Sequence, residues 1–530
     1  MNPELGDTGQ AGGGSIGASL KQRAMINIGP SAVSMIVFEA EDEANTPIEL
    51  LEMLEQPLPL AADIFRDGLL SRGTIERCVR IFNRFQATLS EYGLRGGNRV
   101  EAVTTNLLSE ADNAELLLDR LQVASGVEAR SLDDGDMTRL VYLFVARILK
   151  EQPALNKSRV LAIHVGPGNT RLMLFKKGRI VQYNSYRMGA YRVADAVEKM
   201  GSGSDNLLSD IKAHVNGSIE QIVGAYANEP IDEVLAIGHE IQPVATTLAK
   251  DEEPLMKVDR KKLSRLAKQL SVSKEKQLAE TYEVNVYATR PLLAGVVCNL
   301  EVAGKFGLSA LHVPTGRFEE RFLTGLAGSD FAAKRFVHEV IGSAKALARK
   351  YAVDKDHGRH VAALAVKLFD ELVELTALSP QDRLLLEVAG IVHEVGGFIS
   401  RRSHHKHSFY IIKNSEIFGL NDEEITLVAL ISRYHRHGLP EATHLFVRDL
   451  TREGRIRVSK LAALLRVADA LDRGHQQQLQ IQHARVKKDQ LRILVGDIVN
   501  VSVSVEGLAM RAKGDLFEQV FGLEVVLETG

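Results

Sequence analysis

The sequence predicts two α/β domains of like topology, then an all-helical domain, then a small α/β piece at the C-terminus. Three observations carry this. A Gly-Pro turn between apolar runs occurs twice at a constant offset. From about Asp330 to about Asp472 the apolar residues recur almost wholly at helical spacing. Residues 480–530 then alternate apolar with polar, through Leu491, Ile493, Val495, Val499, Val501, Val503 and Val505. The implied boundaries are a flexible tail at 1–22, α/β domains at 23–150 and 151–328, a helical domain at 329–478 and the small piece at 479–530.

The elements follow in order. Residues 1–22 carry Gly12-Gly13-Gly14 among polar residues and lack the apolar stretch of a secretory signal. Residues 24–38 flank Gly29-Pro30 with apolar runs, which reads as a hairpin. Residues 163–175 repeat it: Ile163, Gly166, Pro167 and Phe175 match Ile26, Gly29, Pro30 and Phe38, each 137 further on (166 − 29 = 137). Two domains with a glycine turn each, facing a shared cleft, are the expectation. Residues 73–92 are helical (Ile75, Val79, Phe82, Phe85, Leu89), Val100–Thr105 is a strand, and Ala114–Leu121 and Leu140–Leu149 are helices. Val234–Gly238 is a strand ending in glycine, which suits a ligand-facing loop. Residues 251–286 read as a charged, helical surface face.

Composition narrows the function classes. At 530 residues, 45% hydrophobic and 25% charged, the chain has room for several cores. Lys+Arg 65 against Asp+Glu 68 leaves a net charge of -3. That balance excludes a whole-protein basic field for nucleic acid or a membrane surface. Cys78 and Cys298 make no disulfide framework and no thiolate zinc site, so a reducing, cytoplasmic setting is expected. No apolar run reaches transmembrane length.

The chemistry concentrates between His357 and Asp472, where eight of the 16 histidines lie between His357 and His437. His357 stands four residues before Val361 on a stripe continued by Ala365, Leu368 and Leu372. His393-Glu394 ends the apolar run Leu384–Val392, His435 follows Ile431 by four, and Asp469 follows Leu465 by four. Four core helices thus each direct a metal-competent side chain inward. A buried carboxylate at Asp469 calls for a cationic or metal partner. A polar core, a metal site without turnover and a working metal-dependent phosphohydrolase all fit this pattern. The run Arg401 to His407 is a local basic patch that reads either as a solvated loop or as an anion-guiding rim.

With these pieces placed, nearly the whole chain resembles the exopolyphosphatase / guanosine pentaphosphate phosphohydrolase (Ppx/GppA) family. The landmarks are the paired glycine turns, Asp67-Gly68-Leu69-Leu70-Ser71, Thr104-Thr105 with Ala111-Asp112-Asn113, and Arg187 to Arg192. Further on come His393 to Gly396, His404 to Ser408, Tyr434-His435-Arg436 and Leu464 to Asp472. The resemblance implies a duplicated actin-like (ASKHA) fold followed by an HD-type helical domain. It implies a phosphate chain held at the turns by Gly29, Ser31, Gly166, Gly168, Asn169, Thr170 and Arg171, and water positioned by Asp136. It implies a divalent metal of the Mn²⁺, Fe or Zn²⁺ kind at His357, His393, Glu394, His435 and Asp469. It also implies polyphosphate or a guanine nucleotide as partner, and a homodimer.

The departures are physical. The family's first turn begins with Asp where Asn27 stands, and its second has acids where His164 and Arg171 stand, a poor ligand set for Mg²⁺. The family's catalytic glutamate is matched only by the shorter Asp136, and its arginine by Ser109. Pro30 and Pro167 each remove an N–H that cradles phosphate. Glu394 replaces the aspartate of the HD dipeptide. Three readings stay open: hydrolysis of polyphosphate or guanosine pentaphosphate at the front cleft, hydrolysis of a nucleotide at the helical site, and a binding or regulatory role.

Overall fold

The computed structural model describes residues 21–40, 49–94, 99–201, 206–248, 254–316, 318–328, 334–436, 438–496 and 504–529. The first sheet contains β1 (Lys21–Ile28), β2 (Ala32–Ala40), β3 (Glu49–Pro57), β4 (Val100–Thr104) and β5 (Ala129–Ser131). Their order is β3-β2-β1-β4-β5. The β1–β2 and β2–β3 pairs are antiparallel, while β1–β4 and β4–β5 are parallel.

The second sheet contains β6 (Arg159–Val165), β7 (Thr170–Lys176), β8 (Arg179–Tyr186), β9 (Glu233–Ile237), β10 (Leu255–Asp259) and β11 (Ala310–Pro314). Its order is β10-β11-β9-β6-β7-β8, again a hairpin meander joined to parallel strands through its first strand. The edge strand β10 is the addition. The duplication expected from the 137-residue offset is therefore present. β1 and β6 are buried along most of their length, as central strands between covered faces should be.

The chain separates into two compact units. One comprises 1–131, 274–290 and 316–330, the other 132–273, 291–315 and 331–530. The division falls at 131/132 and not near 150, because helix α1 (Asp134–Glu151) packs with the second unit. Its buried Tyr142 meets Phe175, Phe336 and Phe418 at ring-centroid distances of 6.1, 5.8 and 5.5 Å.

The helical region of the second unit contains α2 (Lys355–Glu371), α3 (Pro380–Val392), α4 (His404–Lys413), α5 (Asp422–Arg433) and α6 (Arg452–Leu471). Ser379 and Asn421 form capping boxes with Asp382 and Glu424, which set where α3 and α5 begin. From Leu461 to Leu471, α6 is buried at every position, so it runs through the core of the bundle.

Three expectations are corrected. β1 starts at Lys21, inside the stretch 1–22 expected as a tail; residues 1–20 lie outside the described residues. Residues 251–286 contain the strand β10 ahead of their helices. The C-terminal piece is α/β as expected, but the alternation read through Val505 does not continue as strand to that residue. After β12 (Ile481–Lys487) and β13 (Gln490–Val495) come α7 (Ser504–Lys513), a helix at Asp515–Phe521 and β14 (Glu524–Thr529). Val499, Val501 and Val503 lie outside the described residues, whereas Val505 belongs to α7. Buried Glu506, Met510 and Lys513 recur at helical spacing, and that face prevails over the apolar alternation preceding it. Cys78 and Cys298 are both free and buried. Among the described residues, no helix is long and apolar enough to cross a membrane.

Candidate functional site

The glycine turn of the first unit is tied into its own chain. Gly29 N–H donates to Ala32 O at 2.8 Å. Ala61 and Leu58 N–H donate to Pro30 O and Ser31 O, each at 2.8 Å. Ser31 Oγ accepts from Asn285 Nδ2 at 3.4 Å. Asn27, at the end of β1, is buried.

The second turn is bound more completely. Gly166 N–H donates to Asn169 O at 2.9 Å, and Pro167 O accepts from Tyr191 and Arg192 N–H at 3.1 and 3.2 Å. Arg192 Nε donates to Gly168 O at 3.0 Å, and Thr170 Oγ1 donates to Met188 O. Gly189 is pressed so closely on the turn that a Cβ there would lie 2.3 Å from Gly168 C and Pro167 O. Arg171 is 1% exposed; its guanidinium donates to Asp134 and, at 3.3 Å, to Thr138 Oγ1. The cation that sequence reasoning aimed at an anion is thus directed inward onto a carboxylate.

Asp136 has a local task. Asp133 Oδ1 accepts from Asp136 N–H at 2.8 Å, and Asp136 Oδ2 accepts from Asp133 N–H at 3.4 Å, a capping box at the start of α1. The carboxylate that meets the second turn is Asp134, which accepts from Asn169 Nδ2 at 3.4 Å as well as from Arg171. Sequence reasoning missed Asp134. The available signal was the Asp133-x-x-Asp136 spacing, which claims Asp136 for the cap and leaves its neighbour to reach the turn.

His164, next to last in β6, stands opposite Arg171 on β7 and is 3% exposed. Burial, reinforced by the Arg171 cation, pushes its pKa down to about 3. The unfolded histidine, at 6.5, therefore binds more protons than the folded one between pH 6.5 and about 3. The stability linked to neutral His164 is full above pH 6.5 and is lost as pH falls through that window. His164→Asn, which installs the residue found at the matching position Asn27, will flatten the pH dependence by up to about 1.4 kcal/mol per pH unit. Urea denaturation of both proteins at pH 7, 6 and 5 measures this; parallel curves would refute it.

The helical half brings its candidates together. His357 Nε2 and His393 Nε2 stand 3.5 and 3.8 Å from Asp469 Oδ1. All three residues are buried, and their ligand atoms lie within 4.8 Å of one another. A four-coordinate metal with ligands at about 2.1 Å separates neighbouring ligand atoms by roughly 3.4 Å, and the two edges that meet at Asp469 are close to that.

The outer bonds orient it further. His357 Nδ1 bonds to Asp472 Oδ2 at 2.8 Å, His393 Nδ1 to Gly390 O at 2.7 Å and His435 Nδ1 to Ser432 O at 2.5 Å. The first two bonds leave Nε2 of His357 and of His393 directed at Asp469, as metal-ligating imidazoles require. Nε2 of His357 and of His393 is buried without a hydrogen bond among the described residues. Burial pushes the pKa of His357 down, but Asp469 and Asp472 outweigh it and hold it up at about 9. Burial raises that of Asp469, yet His357, His393 and Lys513 hold it well below the usual carboxylate range.

The other two predicted ligands lie to either side. Half-buried Glu394 forms a second triangle with His357 and exposed His475, whose ring stacks on His357 at 3.7 Å. His435 lies two residues past the end of α5 and meets His393 edge-on at 4.9 Å, with its Nε2 3.1 Å from His404 Nε2. Among the described residues His435 therefore joins neither triangle. Buried Arg466 fixes its loop by donating to Tyr434 O at 2.6 Å and to Gly438 O. Gly396 packs against α4, where a Cβ would lie 2.1 Å from His404 O, and this seats His404 beside the centre. Asp472, His475 and Lys513 were not among the expected residues. Asp472 three positions after Asp469 was the one legible cue.

Comparison with known proteins gives the family. The model described as the Ppx/GppA phosphatase family matches residues 36–329, and that of Ppx/GppA phosphatase, domain III, matches 341–501. A guanosine-5'-triphosphate,3'-diphosphate pyrophosphatase of Vibrio vulnificus is 21% identical over 434 residues, covering 78% of this chain and 81% of the relative. The protein of that name from Pseudoalteromonas translucida is 24% identical over 429 residues, with the same two shares. A solved exopolyphosphatase from Cytophaga hutchinsonii aligns at 15% identity and a TM-score of 0.49, over 59% of this chain and 100% of that one.

Proposed function

The chain belongs to the Ppx/GppA phosphatase family, and we propose that it is a phosphoanhydride-handling member whose metal-dependent chemistry has moved to the helical half. Its ligand class is polyphosphate or a guanosine pentaphosphate-type nucleotide, the class named for its relatives. The α/β half serves binding without hydrolysis, because Asp136 caps a helix and Arg171 is held by Asp134. The helical half is an HD-type centre for one divalent transition metal.

One observation carries this reading. Two buried imidazole Nε2 atoms, with no hydrogen bond among the described residues, converge on one oxygen of buried Asp469. Buried polar atoms are nearly always bonded, so two imidazole nitrogens left at ion-pair distance from one carboxylate, without a hydrogen bond, fit a cation between them. His357, His393 and Asp469 would hold the metal, with Glu394 on the His357 side. When bound, it supplies Lewis-acid polarisation of a phosphoryl oxygen. The chain itself orients the two imidazoles through Asp472 and Gly390 O, and buries all three ligands so that their charges are poorly screened.

Metal analysis of the purified full chain tests it, together with phosphate release from polyphosphate and from guanosine pentaphosphate. Wild type should retain a divalent transition metal after dialysis, and His393→Ala should lose it. Any phosphate release should disappear in His393→Ala and survive in Asp136→Asn. The reverse pattern, release abolished by Asp136→Asn alone, would place the chemistry back at the glycine turns.

A further inference from the structure

We propose that Lys513 is a built-in cation that competes with the metal for Asp469, so that the C-terminal piece gates loading of the helical centre. This rests on the metal-site reading above. Asp469 divides its two oxygens: Oδ1 faces His357 and His393, while Oδ2 accepts an ion pair from Lys513 Nζ. Lys513 is 8% exposed and Asp469 4%, so the pair is screened from water.

Lys513 comes from outside the helices that carry the triangle. It is the last residue of α7, which packs along α6. Two residues on, Asp515 Oδ1 accepts from Arg466 Nη1 at 2.7 Å, and Arg466 lies one helical turn before Asp469 on α6. The stretch 513–515 is thereby strapped to α6 at two points. Arg466–Asp515 anchors it, and Lys513 delivers charge to the ligand triangle.

The competition follows from Coulomb's law. A buried carboxylate without a cation is costly, so the metal-free centre keeps Lys513 on Asp469. A divalent cation at the triangle meets a positive charge on the far oxygen of its own carboxylate ligand, and poorly screened like charges repel. Loading therefore requires the ammonium to withdraw from Asp469.

The test uses the full chain freed of metal by chelator, with Mn²⁺ alone as probe and the paramagnetic signal of free Mn²⁺ as readout. Lys513→Met and Lys513→Gln should bind Mn²⁺ at least about tenfold more tightly than wild type, while Lys513→Arg stays within about threefold of it. The Gln variant keeps a polar partner for Asp469 and covers the case in which the Met variant does not fold. A second readout is thermal: metal-free Lys513→Gln should melt below wild type and be raised more by Mn²⁺. Equal affinity across wild type, Gln and Met would overturn the gate and leave the metal site standing. Tighter binding by wild type would overturn it too, by making Lys513 a helper. If neither wild type nor either neutral variant takes up Mn²⁺ at millimolar concentration, the metal-site reading and the gate fall together.

Discussion

Asp469→Asn is expected to lower the stability of the metal-free protein by about 3–5 kcal/mol, the cost of leaving a buried cation without its partner. The carboxylate is 4% exposed and serves three groups at once: His357, His393 and Lys513. Asparagine keeps the volume, so the loss reports charge and not packing. The same variant should lose metal binding, because its amide is a far weaker ligand than a carboxylate. Replacing both members of the pair, Asp469→Leu with Lys513→Met, should recover much of the stability without restoring metal, since a buried pair exchanged for apolar groups is often neutral. Urea titration of wild type, Asp469→Leu, Lys513→Met and the double variant gives the coupling directly. Single and double variants that are equally unstable would show that the pair is not the source.

Gly390→Ala should cost about 1–3 kcal/mol and weaken metal binding, although the residue touches no metal. A Cβ at Gly390 would lie 2.7 Å from Ala362 Cα and 2.9 Å from its Cβ, and backbone cannot yield as a flexible side chain does. On α2, Gly358 makes the matching approach, with a virtual Cβ 3.0 Å from Ile391 O. These two glycines let α2 and α3 come close enough for His357 and His393 to stand 5.3 Å apart between ring centroids. Separating the helices separates the imidazoles. Gly342→Ala in the neighbouring helix Lys334–Lys350 is the control, since a Cβ there meets nothing within 4 Å and alanine favours a helix interior. A Gly390→Ala protein with wild-type urea midpoint and Mn²⁺ affinity would refute the close-contact account.

Much of this molecule follows from local pattern. The 137-residue offset from Gly29 to Gly166 disclosed the duplication, because a repeated turn between like apolar runs builds the same hairpin twice. The helical spacing around His357, Leu384–Val392 and Asp469 disclosed which polar residues face the core. Three of the five expected metal ligands, His357, His393 and Asp469, meet as one triangle for that reason.

What only the tertiary structure decided is the set of partners that each of these residues takes. Asp134, not Asp136, meets the second turn, since a capping box claims one acid and helix geometry presents the other. Arg171 looks like an anion anchor in sequence and is a buried partner of Asp134 in space. His435 stands on the right segment and reaches His404, because the loop held by Arg466 sets its angle. Lys513, 44 positions beyond Asp469, has no sequence signal at all. Periodicity reports which face of an element a residue occupies. The charge that it meets there depends on how distant elements dock, and a single sequence does not encode that docking in any local spacing.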